Sequence, residues 1–537
     1  MIAEINVACL EQWLGDGQEL AVFDVREHGE YGEGHLFFAV PLPYSRLELD
    51  ITRLAPSRRA RIVVYDDGKK SVAAAAVRRL IAIGYQRVYL LSGGTLAWSQ
   101  AGYSLFEGVN VPSKTFGEQV EAIRHTPAIS ADALHSHINS GKPLLILDGR
   151  PFAEYQRMSI PGSVCCPNGE LSVRIGNLIR DDSTPVVVNC AGRTRSIIGA
   201  QSLIDLGVKN PVYALENGTQ GWMLADYQLE HQQNRHYADE TDVTDERVNR
   251  ARILAESAGA SWVSPEEVKT WIVEQHTVYL LDVRTEAEFL AGTLASAQHA
   301  PGGQLQQATD QFVGVRNARL VLLDSENVRA PVTAYWLRQM GHQAFILQGG
   351  IAAGLRENVQ HIVETPVAPV LPLISPDQLQ AGLLGERPLR VWDIRSSQSY
   401  REGHIPGSEW VTRSHVIDVD ASDVVLVSDD PQQAAWFAVD HPVRGLLVGG
   451  VTAWQAAGGF VTVTQDFPPD AERIDYLFFT HDRHKGNKAA ARQYLAWEQG
   501  LWQRLHPSEK SVFKPVSKRP GNDVCRRTFN PVMIEST

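Results

Sequence analysis

The stretch LILDGR, at residues 145–150, places an acidic residue and an arginine directly after an apolar run. The same pattern recurs as VFDVRE at 22–27, LLDVRT at 280–285 and VWDIRS at 391–396. In the first three copies along the chain, the end of the next apolar run lies 42 positions after this acidic residue, and in the fourth copy it lies 36 positions after it. Self-similarity at a nearly fixed spacing predicts one structural unit that is repeated four times.

Each unit continues in the same order after its second apolar run, with a helix-like segment and then a glycine signal such as LLSGGTLAW at 90–98. The apolar runs are short and lack polar alternation, which is typical of strands buried on both faces of a parallel sheet. The sequence therefore predicts an α/β fold in which each unit is a mainly parallel sheet flanked by helices.

The chain of 537 residues is too long for one hydrophobic core. We predict four units, a charged, solvated linker that contains a helix between the second and third of them, and a C-terminal extension with a packed helix and a poorly ordered tail. The predicted segments are 1–108, 125–232, 233–259 for the linker, 260–358, 372–462, and 466–537 for the extension.

The bulk composition excludes several classes of function. A net charge of -12 argues against nucleic acid or an anionic membrane as a partner, because both require a basic surface. The N-terminus lacks the features of a signal peptide, and no run is long and apolar enough to span a bilayer. The five cysteines form no CxxC pair, which favours a reducing compartment, and we predict a cytoplasmic location. These cysteines are Cys9, Cys165, Cys166, Cys190 and Cys525.

Taken together, these motifs make the sequence resemble the rhodanese, or sulfurtransferase, family. The turn element of that family stands as GHIPGS at 403–408, as SIPGS at 159–163 and, more remotely, as GHLFFAV at 34–40. The resemblance covers about four fifths of the chain. It implies four tandem rhodanese-like domains, each with its active-site loop after the second central strand.

The resemblance also implies that only the second unit is catalytic. Cys190 stands at the position of the family's nucleophile, whereas Asp66, Asp324 and Asp429 stand at the matching positions of the other units. A carboxylate cannot carry a sulfane sulfur, so we expect the first, third and fourth units to be inactive.

The residues around Cys190 predict a reactive thiol independently of the resemblance. Cys190 ends a predicted parallel strand, at the sheet edge where ligands bind in open α/β folds, and a helix follows it. Open amides and the dipole at a helix start favour an anion, and Arg193 and Arg195 should lower the thiol pKa below its reference value of about 8.5. Gly192 allows the loop to curl around the sulfur. The alternatives are a buried structural cysteine and solvated surface arginines.

The resemblance implies a double displacement in which the Cys190 thiolate takes the outer sulfur of thiosulfate or a similar small anionic donor and passes it to cyanide, a thiol or a sulfur-carrier protein. Neither a cofactor nor a metal is implied. The residues expected to bind the donor are Ala191, Gly192, Arg193, Thr194, Arg195 and Ser196. The loop from Cys190 to Arg195 is one residue shorter than the loops of related phosphatases and arsenate reductases. Those activities, and a non-catalytic scaffold, are the weaker alternatives.

Several other residues are of types that often act in catalysis or metal binding, but we expect structural roles for them. Asp148 and Arg150 recur in every unit, so we expect them to pin the strand end and support the site. Structural roles are likewise expected for His35 and His404 in the repeated turns, for the adjacent pair Cys165 and Cys166, for Cys9 and Cys525, and for the histidines of HDRHKGN at 481–487.

Overall fold

The computed structural model describes residues 2–69, 72–241, 243–355, 366–416, 420–481 and 487–517, and these ranges form four sheets. The strand order is the same in all four sheets: β1-β5-β4-β2-β3, β6-β10-β9-β7-β8, β11-β16-β15-β12-β13 and β17-β21-β20-β18-β19. The strands are β1 (Glu4–Ile5), β2 (Leu20–Asp24), β3 (Val40–Pro41), β4 (Arg61–Tyr65), β5 (Arg87–Leu91), β6 (Ala128–Ile129), β7 (Leu145–Asp148), β8 (Val164–Cys165), β9 (Val186–Asn189), β10 (Val212–Leu215), β11 (Ser261–Val263), β12 (Val278–Asp282), β13 (Gln298–His299), β14 (Val315–Arg316), β15 (Arg319–Leu323), β16 (Gln343–Leu347), β17 (Leu373–Ile374), β18 (Arg390–Asp393), β19 (Glu409–Trp410), β20 (Val424–Val427) and β21 (Gly445–Leu447).

Helices cover both faces of each sheet and also form the segments that join the units. They are α1 (Val7–Gly15), α2 (His28–Glu33), α3 (Leu47–Leu54), α4 (Val72–Ala82), α5 (Gly94–Gln100), α6 (Val111–Arg124), α7 (Ala131–Asn139), α8 (Phe152–Arg157), α9 (Asn168–Leu178), α10 (Thr194–Asp205), α11 (Gly218–Leu224), α12 (Asp245–Ser257), α13 (Pro265–Val273), α14 (Glu286–Ala291), α15 (Gly302–Gln307), α16 (Arg329–Gln339), α17 (Pro376–Leu383), α18 (Ser397–Glu402), α19 (Pro431–Asp440), α20 (Gly450–Ala456), α21 (Phe478–His481), α22 (Lys488–Arg504) and α23 (Pro507–Lys510).

The predicted fold class is confirmed. Within each unit the strands pair in parallel, and the central strands are buried along their length, as uninterrupted apolar runs require. Close contact with a neighbouring backbone explains why the second position of the repeated glycine signal, Gly218 in the second unit, is a glycine. A Cβ on Gly218 would lie 2.2 Å from the Cys190 carbonyl oxygen, so this turn presses directly on the candidate active-site loop.

The repeated acidic-x-Arg motif pins the end of one central strand in every unit. In the second unit the Arg150 guanidinium binds both carboxylate oxygens of Asp148, at 2.8 and 2.7 Å, and donates to the Met158 carbonyl at 2.6 Å. The other three units contain the same pair, with a third bond to the carbonyl of the residue eight positions after the arginine. These contacts pin the strand end as expected, and the supporting role of Asp148 and Arg150 in the site stays a prediction.

The units share cores instead of forming separate bodies. Strand β14 of the third unit pairs antiparallel with β2 of the first, so a strand of one unit extends the sheet of another. The fourth unit docks on the first through Arg413, which is 1% exposed and forms an ion pair with Glu48 at 2.7 Å.

The connecting segments depart in part from the prediction. Helix α12 of the linker is present, but one of its faces is buried through Ala251, Leu254 and Ala255, so the linker is not solvated throughout. Helix α6, which the sequence analysis did not predict, packs on α10. Residues 518–537, which include Cys525 and most of the predicted tail, lie outside the described residues, as do residues 482–486 of the HDRHKGN segment.

Candidate active site

Cys190 lies immediately after β9 and four residues before α10, at the carboxyl edge of the second sheet. The residue is 3% exposed, and the Ser196 hydroxyl donates to its Sγ at 3.2 Å. A hydroxyl donor stabilises a sulfur anion more than a neutral thiol. The location matches the sequence prediction, and the ionised state of the thiol stays a prediction.

The loop after Cys190 directs its carbonyl groups and its amides to different partners. The Cys190 and Ala191 carbonyls accept from the amides of Thr219 and Gln220 in α11, at 2.8 and 3.1 Å. By contrast, the amides of Ala191, Gly192 and Arg193 donate to no acceptor in the described part of the chain. The first turn of α10 adds further amides without intrahelical partners. Open amides beside a helix N-terminus form a site for an anion.

Both arginines of the loop are bound to glutamates. The Arg193 guanidinium contacts Glu118, at 2.6 and 3.0 Å, and Glu121, both on α6. Arg195 forms a two-bond pair with Glu154 of α8, at 2.9 and 2.8 Å. This pairing corrects the alternative of solvated surface arginines, because both side chains are largely buried, and the donor-binding role of Arg193 and Arg195 stays a prediction.

Electrostatics couple Arg195 to the candidate nucleophile. Burial of the Arg195 guanidinium lowers its pKa, but Glu154, Cys190 and Asp148 outweigh this effect and hold the pKa above its ordinary value. Burial also lowers the pKa of Arg193, but Glu118, Glu121 and Glu498 outweigh this effect and hold the pKa above its ordinary value. Both guanidinium groups therefore keep their charge beside the loop.

The third unit supports the loop from behind. Asn168, at the start of α9, donates to the Arg195 carbonyl at 2.9 Å. The next residue, Gly169, packs so closely on α15 of the third unit that a Cβ would lie 2.7 Å from the Gly303 amide nitrogen. A unit without a cysteine thus fixes the helix that holds the loop.

The loops of the other units carry different side chains at the position of Cys190. Asp66 and Asp324 follow their strands as Cys190 does, as the sequence analysis expected. In the fourth unit the prediction of Asp429 is wrong. Asp393 pairs with Val427 as Asp148 pairs with Asn189, so Ser428 is the residue that matches Cys190.

The remaining candidates have structural contacts. The Cys165 Sγ lies 3.5 Å from the Arg150 carbonyl oxygen, and burial raises the pKa of the Cys165 thiol to about 12. Burial also raises the pKa of Cys166 well above its ordinary value. His35 and His404 stack on tyrosines, and each has its Nδ1 2.9 Å from a backbone carbonyl. None of these contacts involves the Cys190 loop.

Two residues that the sequence analysis missed lie against the loop. Glu498 of α22 accepts from the Thr194 hydroxyl at 2.8 Å, and Gln220 of α11 donates from Nε2 to the Ala191 carbonyl at 3.1 Å. Glu498 had a signal in the sequence, because it lies on the helix face of Tyr494 and Leu501, which are buried and apolar.

Neither a metal cluster nor a membrane span occurs among the residues that the structure describes. Within those ranges, no group of three or more His, Cys, Asp or Glu residues is arranged to hold a metal ion. Across the same residues, no helix has both the length and the apolar character needed to cross a bilayer.

Comparison with known proteins agrees with this geometry. The sequence profile of the Rhodanese-like domain matches residues 6–101, 130–225 and 264–357. The fourth unit lies outside these matches but has the same strand order.

Among solved structures, a thiosulfate sulfurtransferase from Pseudomonas aeruginosa is 40% identical, with a TM-score of 0.86 over 96% of this chain and 99% of that chain. A sulfurtransferase of Allochromatium vinosum is 30% identical over 102 residues, which are 19% of this chain and 92% of the relative. The 3-mercaptopyruvate sulfurtransferase of Escherichia coli K12 is 26% identical over 225 residues, covering 34% of this chain and 78% of the relative. Because the profile matches more than half of the chain, this protein belongs to the rhodanese-like family.

Proposed function

We propose that this protein is a sulfurtransferase that carries a sulfane sulfur on Cys190. The observation that carries the proposal is the open loop of the second unit, where a sulfur stands beside amides that have no acceptor in the described residues. The loops of the first and third units fill the corresponding place with a carboxyl group. The sulfurtransferases among the relatives support the same chemistry.

The reaction has two displacements at sulfur. The Cys190 thiolate attacks the outer sulfur of the donor, the bond between that sulfur and the rest of the donor breaks, and the leaving group keeps the electron pair. With thiosulfate the leaving group is sulfite. The acceptor, which is a thiol, a sulfur-carrier protein or cyanide, then attacks the outer sulfur of the persulfide, and Cys190 leaves as a thiolate.

The loop supplies electrostatic stabilisation in both steps. Amides from Ala191 to Arg193 and the first turn of α10 face the negative charge of the outer sulfur. Ser196 donates to the inner sulfur, and Thr194 fixes the loop to α22. Arg195 adds a positive charge while Glu154 holds its orientation, and the mechanism uses no cofactor or metal.

The donor and the location are also parts of the proposal. Thiosulfate and 3-mercaptopyruvate are the donors to test first, because relatives bear these names. We infer a cytoplasmic location, because a reducing compartment preserves the thiols of Cys9, Cys165, Cys166 and Cys190, which are all free.

Mass spectrometry tests the proposal directly. After incubation with either donor, the peptide that contains Cys190 is expected to gain the mass of one sulfur atom, and this gain should disappear on treatment with a thiol. The Cys190→Ser variant is the matched control, with unchanged folding and no turnover expected. A Cys190 peptide that stays unmodified with every sulfane donor, or a serine variant that retains activity, contradicts the proposal.

A further inference from the structure

A buried carboxylate from the C-terminal extension lies over the active-site loop. Glu498 of α22 is 2% exposed, and its Oε1 is bound by Thr194. Its Oε2 has no hydrogen-bond partner in the described part of the chain, and it lies 3.2 Å from the position that a Cβ on Gly192 would occupy. A carboxylate oxygen without a donor thus faces the loop two residues after Cys190.

Gln220 approaches the same point from α11. Its Nε2 lies 3.4 Å from the same Cβ position on Gly192 and donates to the Ala191 carbonyl. Its Oε1 is buried and, like the Glu498 oxygen, has no partner among the described residues. Buried acceptors without donors are destabilising, so these two oxygens favour a ligand that brings N–H or O–H groups.

The carboxylate of Glu498 favours a positive group at its own position, whereas the open amides of the loop favour the anionic sulfur. Arg193 and Arg195 are paired with Glu118, Glu121 and Glu154, and Glu498 adds a further carboxylate. These contacts place four carboxyl groups and two guanidinium groups around the loop. An ammonium group supplies three donors and one positive charge, and its hydrogen bonds to a carboxylate are charge-assisted.

We propose that Glu498 and Gln220 bind the ammonium group of the sulfur acceptor, which is therefore a short aminothiol. Gly192 is two positions after Cys190, so their Cα atoms lie at most about 7.6 Å apart, and a short carbon chain can join an ammonium near Gly192 to a thiol at Cys190. This inference rests on the proposed function, because it names the acceptor of the Cys190 persulfide.

The transfer step balances without a further reactant. The acceptor thiol gives its proton to solvent, and the resulting thiolate forms a bond to the outer sulfur of the persulfide. The bond between that sulfur and Cys190 breaks, Cys190 keeps the electron pair as a thiolate, and the product is the persulfide of the aminothiol. Glu498 and Gln220 bind the acceptor and take no part in the proton transfer.

Single-turnover transfer from the persulfide-loaded enzyme tests the inference. The acceptors are cysteamine, 2-mercaptoethanol and 3-mercaptopropionate, compared at equal thiolate concentration. We expect cysteamine to react at least tenfold faster than 2-mercaptoethanol, and 3-mercaptopropionate to be the slowest. In Glu498→Gln, which keeps the side-chain shape, the cysteamine preference is expected to fall to about twofold or less. Glu256→Gln removes an exposed carboxylate on α12 and should keep the full preference.

Ethylammonium, which has no thiol, provides a second measurement. It should inhibit cysteamine-dependent transfer by the wild-type protein at a concentration at least tenfold lower than it does in Glu498→Gln. Persulfide loading of Glu498→Gln, measured by mass spectrometry, checks that the variant is folded. Normal loading with equal rates for the three thiols, or with an unchanged preference in Glu498→Gln, overturns the acceptor site alone. Failure to load the wild-type protein overturns both proposals.

Discussion

The loops of the second and third units lie at the same place in the fold but differ in the residue at the nucleophile position. Cys190 and Asp324 each follow a central strand opposite the pinned aspartate–arginine pair. Arg195 lies five residues after Cys190 and binds Glu154, and Arg329 lies five residues after Asp324 and binds Glu288. In both units this glutamate lies six residues after the pinned aspartate. Because the pair also exists where no cysteine does, it belongs to the loop architecture.

The two loops differ in the acceptors of their backbone amides. The Asp324 carboxyl accepts from the amides of Asn327, Val328 and Ala330, at 3.0, 2.9 and 2.9 Å. In the second unit, Cys190 has no such side-chain oxygen, and the amides that follow it are open in the described structure.

A loop is called closed here when a carboxyl group of the protein accepts from its amides, as in the third unit. The loop of the first unit is also closed, because the Asp66 carboxyl accepts from the amides of Gly68 and Ala73, at 2.8 and 3.0 Å. In both units the loop presents backbone amides to an acceptor atom. An aspartate carboxyl accepts from these amides within the protein, whereas the cysteine of the second unit leaves them open in the described structure.

The substitution Cys190→Asp should convert the second loop to the closed type and have the largest effect of the changes considered. We expect complete loss of persulfide formation, because a carboxylate cannot hold the sulfur. The new carboxyl should bind the open amides, so the Tm should be equal to or above that of Cys190→Ser. Mass spectrometry and thermal unfolding measure the two quantities. A Tm more than about 5 °C below that of the serine variant would contradict the equivalence of the loops.

Removal of the equivalent arginines should separate catalysis from stability. The Arg329 side chain is fully buried and also binds Glu170 of the second unit, whose side chain is 6% exposed. Arg329→Met removes the cation that binds Glu288 and Glu326 and one of the two arginines that bind Glu170, and we expect a loss of about 3–5 kcal/mol in the free energy of unfolding. Arg195→Met should cost about 1 kcal/mol, because the Glu154 side chain is 39% exposed.

Activity should show the opposite order for these two arginines. Arg195→Met removes the positive charge beside Cys190, and a loss of about tenfold or more in kcat/KM is expected. Denaturant unfolding and thiosulfate turnover provide the measurements. Arg252→Met, which breaks an exposed ion pair on α12, is the control and should change neither quantity appreciably. Equal effects of Arg195→Met and Arg329→Met on both quantities would refute the distinction.

The closed loop should also give a moderate dependence of stability on pH. Burial and, to a lesser extent, Glu326 raise the pKa of the Asp324 carboxyl to about 7, against about 3.9 in an unfolded chain. The folded protein therefore binds an additional proton between these values, and stability from this group is complete below pH 4 and declines as the pH rises to 7.

The variant Asp324→Asn should lack this decline. The Tm of the wild type relative to the variant is expected to fall by a few degrees between pH 5 and pH 8, measured by thermal unfolding at constant ionic strength. A relative Tm that rises over this interval would mean that the amides hold the carboxyl ionised in the folded state. It would also reverse our assignment of burial as the stronger effect.

The sequence predicted those features that depend on local patterns. Strands, the pinned Asp148–Arg150 pair and the position of Cys190 follow from short apolar runs and their neighbours. The error at Asp429 arose because the fourth unit is shorter and an aspartate follows Ser428, so counting to the next acidic residue moved the match by one position.

Contacts between distant parts of the chain were not predictable in this way. Glu118, Glu121 and Glu498 reach the loop from α6 and α22, which no repeat contains. Their pairing with Arg193 and Thr194 depends on how the units dock, and neither periodicity nor spacing specifies docking. The sequence therefore indicated the candidate nucleophile but not the acidic side chains that lie around its loop.

The smallest effect is expected for the other cysteines of the second unit, and it tests whether reactivity belongs to the loop or to the unit. Burial raises the pKa of the Cys165 thiol to about 12, and the Cys166 thiol is fully buried, so neither is a ready nucleophile at neutral pH. Cys165→Ala and Cys166→Ala should each keep turnover within about twofold, and iodoacetamide at pH 7.5 should label neither residue in the folded protein. Loss of turnover in a variant with normal persulfide loading would instead assign that cysteine to sulfur release, and the open loop alone would no longer explain the reaction.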